Sequence, residues 1–198
     1  MTILIPGSDW QRHGGWEPDN ALFGFADSVL QGSCVEDCTH FLSWSPSRNN
    51  HAHRITAAHA LREIVATHPF APGETLNIIA HSHGGNVALA ASHLGLAHPI
   101  DTLITLNKPT LLRDAYIPAK NIERFYNISA ARDWMQWAAS DLKLKKGFAR
   151  DKNAVNHTFD TRSSNIKPHA ALIWDDDFRA RWWEWFNNQQ QARATSND

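Results

Sequence analysis

Cysteine is scarce: two in 198 residues, too few for a disulfide framework. Cys34 and Cys38 form one C-x3-C pair with His40 close by, while a closed zinc site takes four ligands and no second cysteine pair exists. They read as two ordinary thiols in a loop, with a metal site as the lesser alternative and a local disulfide only after export. An excess of either charge sign is also missing. Lys plus Arg number 19 and Asp plus Glu 20, a net charge of −1, which argues against a dedicated nucleic-acid binder. No apolar run approaches the ~20 residues that cross a bilayer, so no transmembrane helix is expected. Met1 to Gly7 has neither the basic region nor the long apolar stretch of a cleaved leader. A cytoplasmic location is expected, with any export by a leaderless route. No internal repeat and no low-complexity segment precedes the tail.

What is present is the composition of a globular chain, 42% hydrophobic and 20% charged, with nine tryptophans. The length suits one domain, placed at residues 1–188, with a disordered tail over 189–198. Short apolar runs at 3–5, 40–45, 76–80, 102–106 and 124–129 read as strands. Between them, Ile55, Ala58, Leu61, Ile64 and Val65 recur at helical spacing over 51–68, and an Ala-rich segment over 84–93 also reads as helix. Residues 134–168 are polar with little strand signal. A last helix runs from Asp175-Asp-Asp177 to about Gln190, with Phe178, Trp182, Trp185 and Phe186 on one face. Apolar strands alternating with helices predict a parallel α/β sheet, whose ligands sit beyond the carboxyl ends of the strands.

The residues after the third strand are Ala80-His81-Ser82-His83-Gly84-Gly85. A serine on a sharp strand-to-helix turn needs small neighbours two positions away on each side, because the two backbones nearly collide there. Ala80 and Gly84 meet that demand. The turn lifts the hydroxyl above the sheet and sets it at a helix N-terminus, where backbone N–H groups face developing negative charge. His81-x-His83 is also a metal-pair spacing. A metallohydrolase site of that kind needs a further acid and histidine where Gly84 and Gly85 stand, so no metal is expected.

This segment resembles the nucleophile turn of the α/β-hydrolase superfamily, G-x-S-x-G with Ala80 in place of the first glycine. The resemblance extends over residues 3 to about 186. It implies a minimal α/β-hydrolase fold: a central, mostly parallel sheet of five or six strands with helices on both faces. It implies the chain order Ser, acid, His. Ser82 is then the nucleophile and Asp133, just beyond the fifth strand, the acid, with Asp141 and Asp101 as rivals or Asp133 as a plain helix cap. His169, in Lys167-Pro-His169-Ala-Ala-Leu-Ile-Trp174, is the base, with His157 as rival. The backbone N–H groups of His83 and Ser8 are the expected oxyanion donors. Pro6 stands where the family often has histidine.

Trp10, His81, Pro109 and Trp134 are candidates to line the cleft, beside Trp16, Phe23, Phe25 and Trp137. Aromatic side chains there suit an acyl chain or equally a packed sheet edge. Lys143, Lys145, Lys146, Arg150 and Lys152 form a basic run that reads as a solvated flap, with weak contact to a membrane surface as the alternative. The expected activity is hydrolysis of carboxylic esters, lipase- or esterase-like, through an acyl-enzyme and without a cofactor. The alternatives are a thioesterase, amidase or acyltransferase with the same triad, or a silent binding module on the same fold.

Overall fold

The structure, a computed structural model, describes residues 1–7, 39–42, 44, 50–111, 113–116, 118–139, 154–164, 167–169, 172 and 175–194. In chain order the elements are β1 (Thr2–Ile5), β2 (Thr39–Phe41), α1 (His51–Thr67), β3 (Leu76–His81), α2 (His83–His93), β4 (Ile100–Leu106), a 3-10 turn (Asp114–Tyr116), β5 (Ile122–Ala130), α3 (Trp134–Ala139), β6 (Val155–Phe159) and α4 (Asp176–Ala194). The six strands form one sheet in the order β2-β1-β3-β4-β5-β6, and every neighbouring pair is parallel.

Side-chain alternation along each strand sorts the apolar residues between two cores. Ile3, Ile5, Ile78, Ala80 and Leu103 pack on one face against Ala58, Leu61 and Val65 of α1 and Val87 and Ala91 of α2. Leu4, Ile79, Ile104, Tyr126 and Ile128 pack on the other face against Phe178, Trp182 and Phe186 of α4. Both faces are covered, which is why β1 and β3 read as continuous apolar runs. α1 starts at Asn50, whose side chain accepts the His53 N–H at 3.0 Å. Its buried face is turned slightly from the expected stripe: Arg54 and Ala57 are inside, while Ile55 and Ile64 are half-buried.

Two elements differ from expectation. β6 lies inside the polar stretch where no strand was expected. Only Val155, His157 and Phe159 turn inward, the weak period-2 pattern of a short edge strand. α4 runs to Ala194, through the first part of the expected disordered tail. Gln189-Gln-Gln-Ala-Arg-Ala194 are tolerated helix formers with no Gly or Pro to stop them. Among the described residues no helix is long and apolar enough to cross a membrane.

The strand order fixes where a ligand site belongs. From β1 the chain moves outward to β2, then crosses back to β3 on the other side of β1. In sheets of this order a ligand site belongs beyond the carboxyl ends of β1 and β3, where the direction of the strand order reverses. Gly7 and Ser82 stand there.

Candidate active site

Ser82 joins β3 directly to α2 and takes φ 51° and ψ −130°, a conformation that non-glycine residues rarely adopt. Its N–H donates to Leu106 O at 2.8 Å, which ties the turn to the end of β4. A serine at a helix N-cap ordinarily accepts a backbone N–H, but Ser82 makes no such side-chain bond. The Gly85 N–H donates to Ser82 O at 3.1 Å, closing the first turn of α2, while the N–H groups at a helix start have no i−4 carbonyl within the helix.

Packing around the turn leaves no room for larger residues. A β-carbon on Gly84 would lie 2.5 Å from Ile5 O and 2.6 Å from Pro6 O, so α2 can start here only with glycine. A β-carbon on Gly7 would lie 2.7 Å from Ser82 Cβ and 3.4 Å from its Oγ. The backbone leaving β1 thus runs directly against the serine. Trp44 Nε1 donates to Pro6 O at 2.9 Å and anchors that backbone one residue before Gly7.

Asp133 follows β5 and is buried. Its Oδ1 accepts the Met135 N–H at 3.1 Å, capping α3, and its Oδ2 meets His169 Nδ1 at 2.6 Å. The helix-cap role and the histidine contact are therefore both present, on different oxygens. With Nδ1 on the carboxylate, the opposite nitrogen of His169, Nε2, faces away from Asp133. The His169 ring lies 4.8 Å, centroid to centroid, from the ring of His81, the residue before Ser82. Among the described residues Ser82 Oγ makes no hydrogen bond to His169.

Two further side chains hold the His169 backbone. His81 Nε2 donates to His169 O at 3.0 Å, and Asn107 Nδ2 donates to the same oxygen at 2.9 Å. Asn107 has φ 53° just after β4, a left-handed position that asparagine tolerates better than most residues. Neither role was expected from the sequence. The strand-Asn-Lys-Pro pattern marks where β4 ends, but not that the amide reaches two segments remote in sequence.

Burial lowers the pKa of both histidines that flank Ser82 to about 3. Charge on His169 adds to the effect at His81, and Arg54, His169 and Lys108 add to it at His83. Both rings are neutral at pH 7. Arg54, on the first turns of α1, donates from Nε to Tyr116 Oη at 2.9 Å and lies over the Tyr116 ring, fastening α1 to the 3-10 turn. Trp44 and Arg54 thus both serve as fastenings between elements.

Of the other expected positions, Pro109 is buried and its carbonyl accepts from Asn86 Nδ2 at 3.1 Å. His81 is buried, and its Nε2 bonds to His169 O. Trp134 is 64% exposed. The rival His157 lies in β6, stacked on Trp185 at 4.6 Å, and Asp101 lies at the opposite end of β4, ion-paired with Arg124. Ser8, Trp10, Trp16, Phe23, Phe25, Cys34, Cys38, Asp141 and the basic run from Lys143 to Lys152 lie outside the described residues, as does the Trp137 side chain. Among the described residues no three His, Cys, Asp or Glu side chains are grouped to hold a metal.

A six-stranded parallel sheet with helices on both faces and a strained serine between β3 and α2 defines the α/β-hydrolase fold, and solved structures agree. The chain superposes on carboxyl esterase 2 from Tuber melanosporum with TM-score 0.54 and 10% identity, covering 96% of this chain and 76% of that one. A thermostable esterase from Pseudomonas putida matches with TM-score 0.54 and 14% identity, covering 92% and 71%. Dienelactone hydrolase from Anabaena variabilis matches with TM-score 0.52 and 11% identity, covering 93% and 82%. No protein-family model and no curated protein sequence matches the chain.

Proposed function

We propose that this protein is a serine hydrolase that cleaves carboxylic esters. Ser82 Oγ attacks the acyl carbonyl. His169 Nε2 takes the serine proton and returns it to the leaving alcohol. Asp133 holds the imidazole by Nδ1 and stabilises its charged form. Water then attacks the acyl-enzyme by the same proton route and frees the acid. The oxyanion is received by the His83 N–H at the start of α2 and by the Ser8 N–H. Proton transfer requires Ser82 and His169 to close to hydrogen-bond reach around the substrate, as catalytic contacts commonly do.

The observation that carries the reading is the strained Ser82, whose hydroxyl is left out of helix capping at a helix N-terminus. Strain of that kind persists where surrounding structure enforces it. The solved relatives in fold include esterases and a dienelactone hydrolase, which favours esters over other acyl compounds.

The test is a panel of p-nitrophenyl esters of rising chain length, together with a fluorophosphonate probe. Wild type should turn over at least one ester and become labelled at Ser82. Ser82→Ala should lose both, with turnover down by about three orders of magnitude or more and an unchanged circular dichroism spectrum. A Ser82→Ala protein with near-full activity would falsify the assignment.

A further inference from the structure

We infer that His81 and Asn107 are positioning residues that jointly hold the backbone carbonyl of His169 and so set where its imidazole stands between Asp133 and Ser82. The inference rests on the ester-hydrolase reading and adds to it two side chains outside the Ser-His-Asp set.

The carbonyl of His169 receives two side-chain donors from adjacent strands. His81 ends β3, one residue before the serine, and reaches it from Nε2 at 3.0 Å. Asn107 follows β4 and reaches it from Nδ2 at 2.9 Å, with Pro168 O at 3.3 Å from the same nitrogen. Asn107 is itself held twice by β5. Its N–H donates to Ile128 O at 2.8 Å and its Oδ1 accepts the Ala130 N–H at 2.7 Å. One amide therefore spans the end of the strand that leads to Asp133 and the residue that supplies the base. His81 adds the third connection, to the nucleophile turn. The His169 segment is not a strand of the sheet, so these side-chain bonds replace the ladder that fixes the other two residues.

The chemistry of the donors matters as much as their reach. A carbonyl only accepts, so His81 carries its proton on Nε2. The His169 ring, 4.8 Å away, must become a cation when it takes the serine proton. A lysine or arginine donor beside it would oppose that charge. Buried as it is, His81 stays neutral at working pH, with its pKa lowered to about 3, and the Asn107 amide has no charge at all. The carbonyl is held without disfavouring the imidazolium.

Four proteins test this: wild type, His81→Gln, His81→Leu and Asn107→Asp. Gln keeps an N–H donor; Leu removes it. Asp keeps the acceptor for the Ala130 N–H and loses the donor to His169. With a p-nitrophenyl ester, His81→Leu and Asn107→Asp should lower kcat by about 10- to 100-fold while KM stays within about twofold, the pattern of a misplaced base rather than a lost binding contact. His81→Gln should recover most of the loss. A second readout needs no turnover: the low-field proton resonance of His169 Nδ1–H on Asp133. It should be sharp in wild type and His81→Gln and broadened or shifted in the other two. If His81→Leu does not fold, Asn107→Asp carries both measurements. Wild-type kcat and an unchanged resonance in the variants that lack a donor would overturn the inference and leave the hydrolase reading standing. A wild type without esterase turnover, whose resonance still responds as described, would remove the hydrolase reading and support the clamp.

Discussion

At Gly7 a β-carbon would lie 2.7 Å from Ser82 Cβ, closer than two side chains can approach without a shift. The cheapest relief is to move the serine or the backbone leaving β1, and either displaces the groups proposed to react. Gly7→Ala should therefore lower kcat/KM by about 100-fold in steady-state ester hydrolysis while costing only ~1–3 kcal/mol in a urea titration. Ser82 poses the opposite case. Its φ of 51° suits glycine, so Ser82→Gly should abolish hydrolysis and raise unfolding stability by about 1 kcal/mol, whereas Ser82→Ala leaves the strain in place. A urea midpoint for Ser82→Gly at or below that of Ser82→Ala would show that the turn is not strained. The sequence makes these residues visible because small size at 80 and 84 and a serine between them have a steric meaning. It does not reveal Asn107 or Trp44, whose partners are chosen by the three-dimensional path of the chain.

Among the elements, α4 places an aromatic face in the core. Trp182 is 1% exposed and stacks on Phe186 at 5.2 Å, beneath the face formed by Tyr126 and Ile128. Trp182→Ala should cost about 3–5 kcal/mol, measured by chemical denaturation, through lost burial and an unfilled space. The aromatic stripe that predicts this contact is readable because helical spacing of large side chains leaves few alternatives. β1, β3, β4 and β5 are readable for a related reason: each carries a run of apolar residues buried in the sheet. β6 is hidden by its place at the sheet edge. Asn156 and Thr158 face outward there and His157 fills an inward position, so the segment resembles loop in composition. α4 continues beyond the expected end near Gln190 to Ala194, because glutamine, alanine and arginine are fair helix formers.

Several histidines of the molecule have their pKa lowered by burial. His81 and His83 have pKa values lowered to about 3, and burial lowers those of His40, His51 and His157 as well. Once unfolded, each imidazole regains its ordinary value of 6.5. Between pH 6.5 and 3 the unfolded chain thus binds more protons than the folded one, so stability falls as the pH drops through that window. Above it these groups leave stability level. His81 and His83 each contribute a slope of about 1.4 kcal/mol per pH unit inside the window. Urea midpoints measured from pH 8 down to pH 4 should be flat at first and then decline. A midpoint that holds constant to pH 4 contradicts the buried, neutral placement of both rings.

The position of β1 has a consequence for biogenesis. It is made first, at residues 2–5, yet it lies inside the sheet between β2 and β3, and its second neighbour is not synthesised until residue 81. Until then an apolar ribbon waits with one open side, and Gly7 has no serine to stand against. The Gly7–Ser82 contact can therefore form only when this strand is gripped from both flanks. During refolding, recovery of probe labelling should trail the recovery of helical signal.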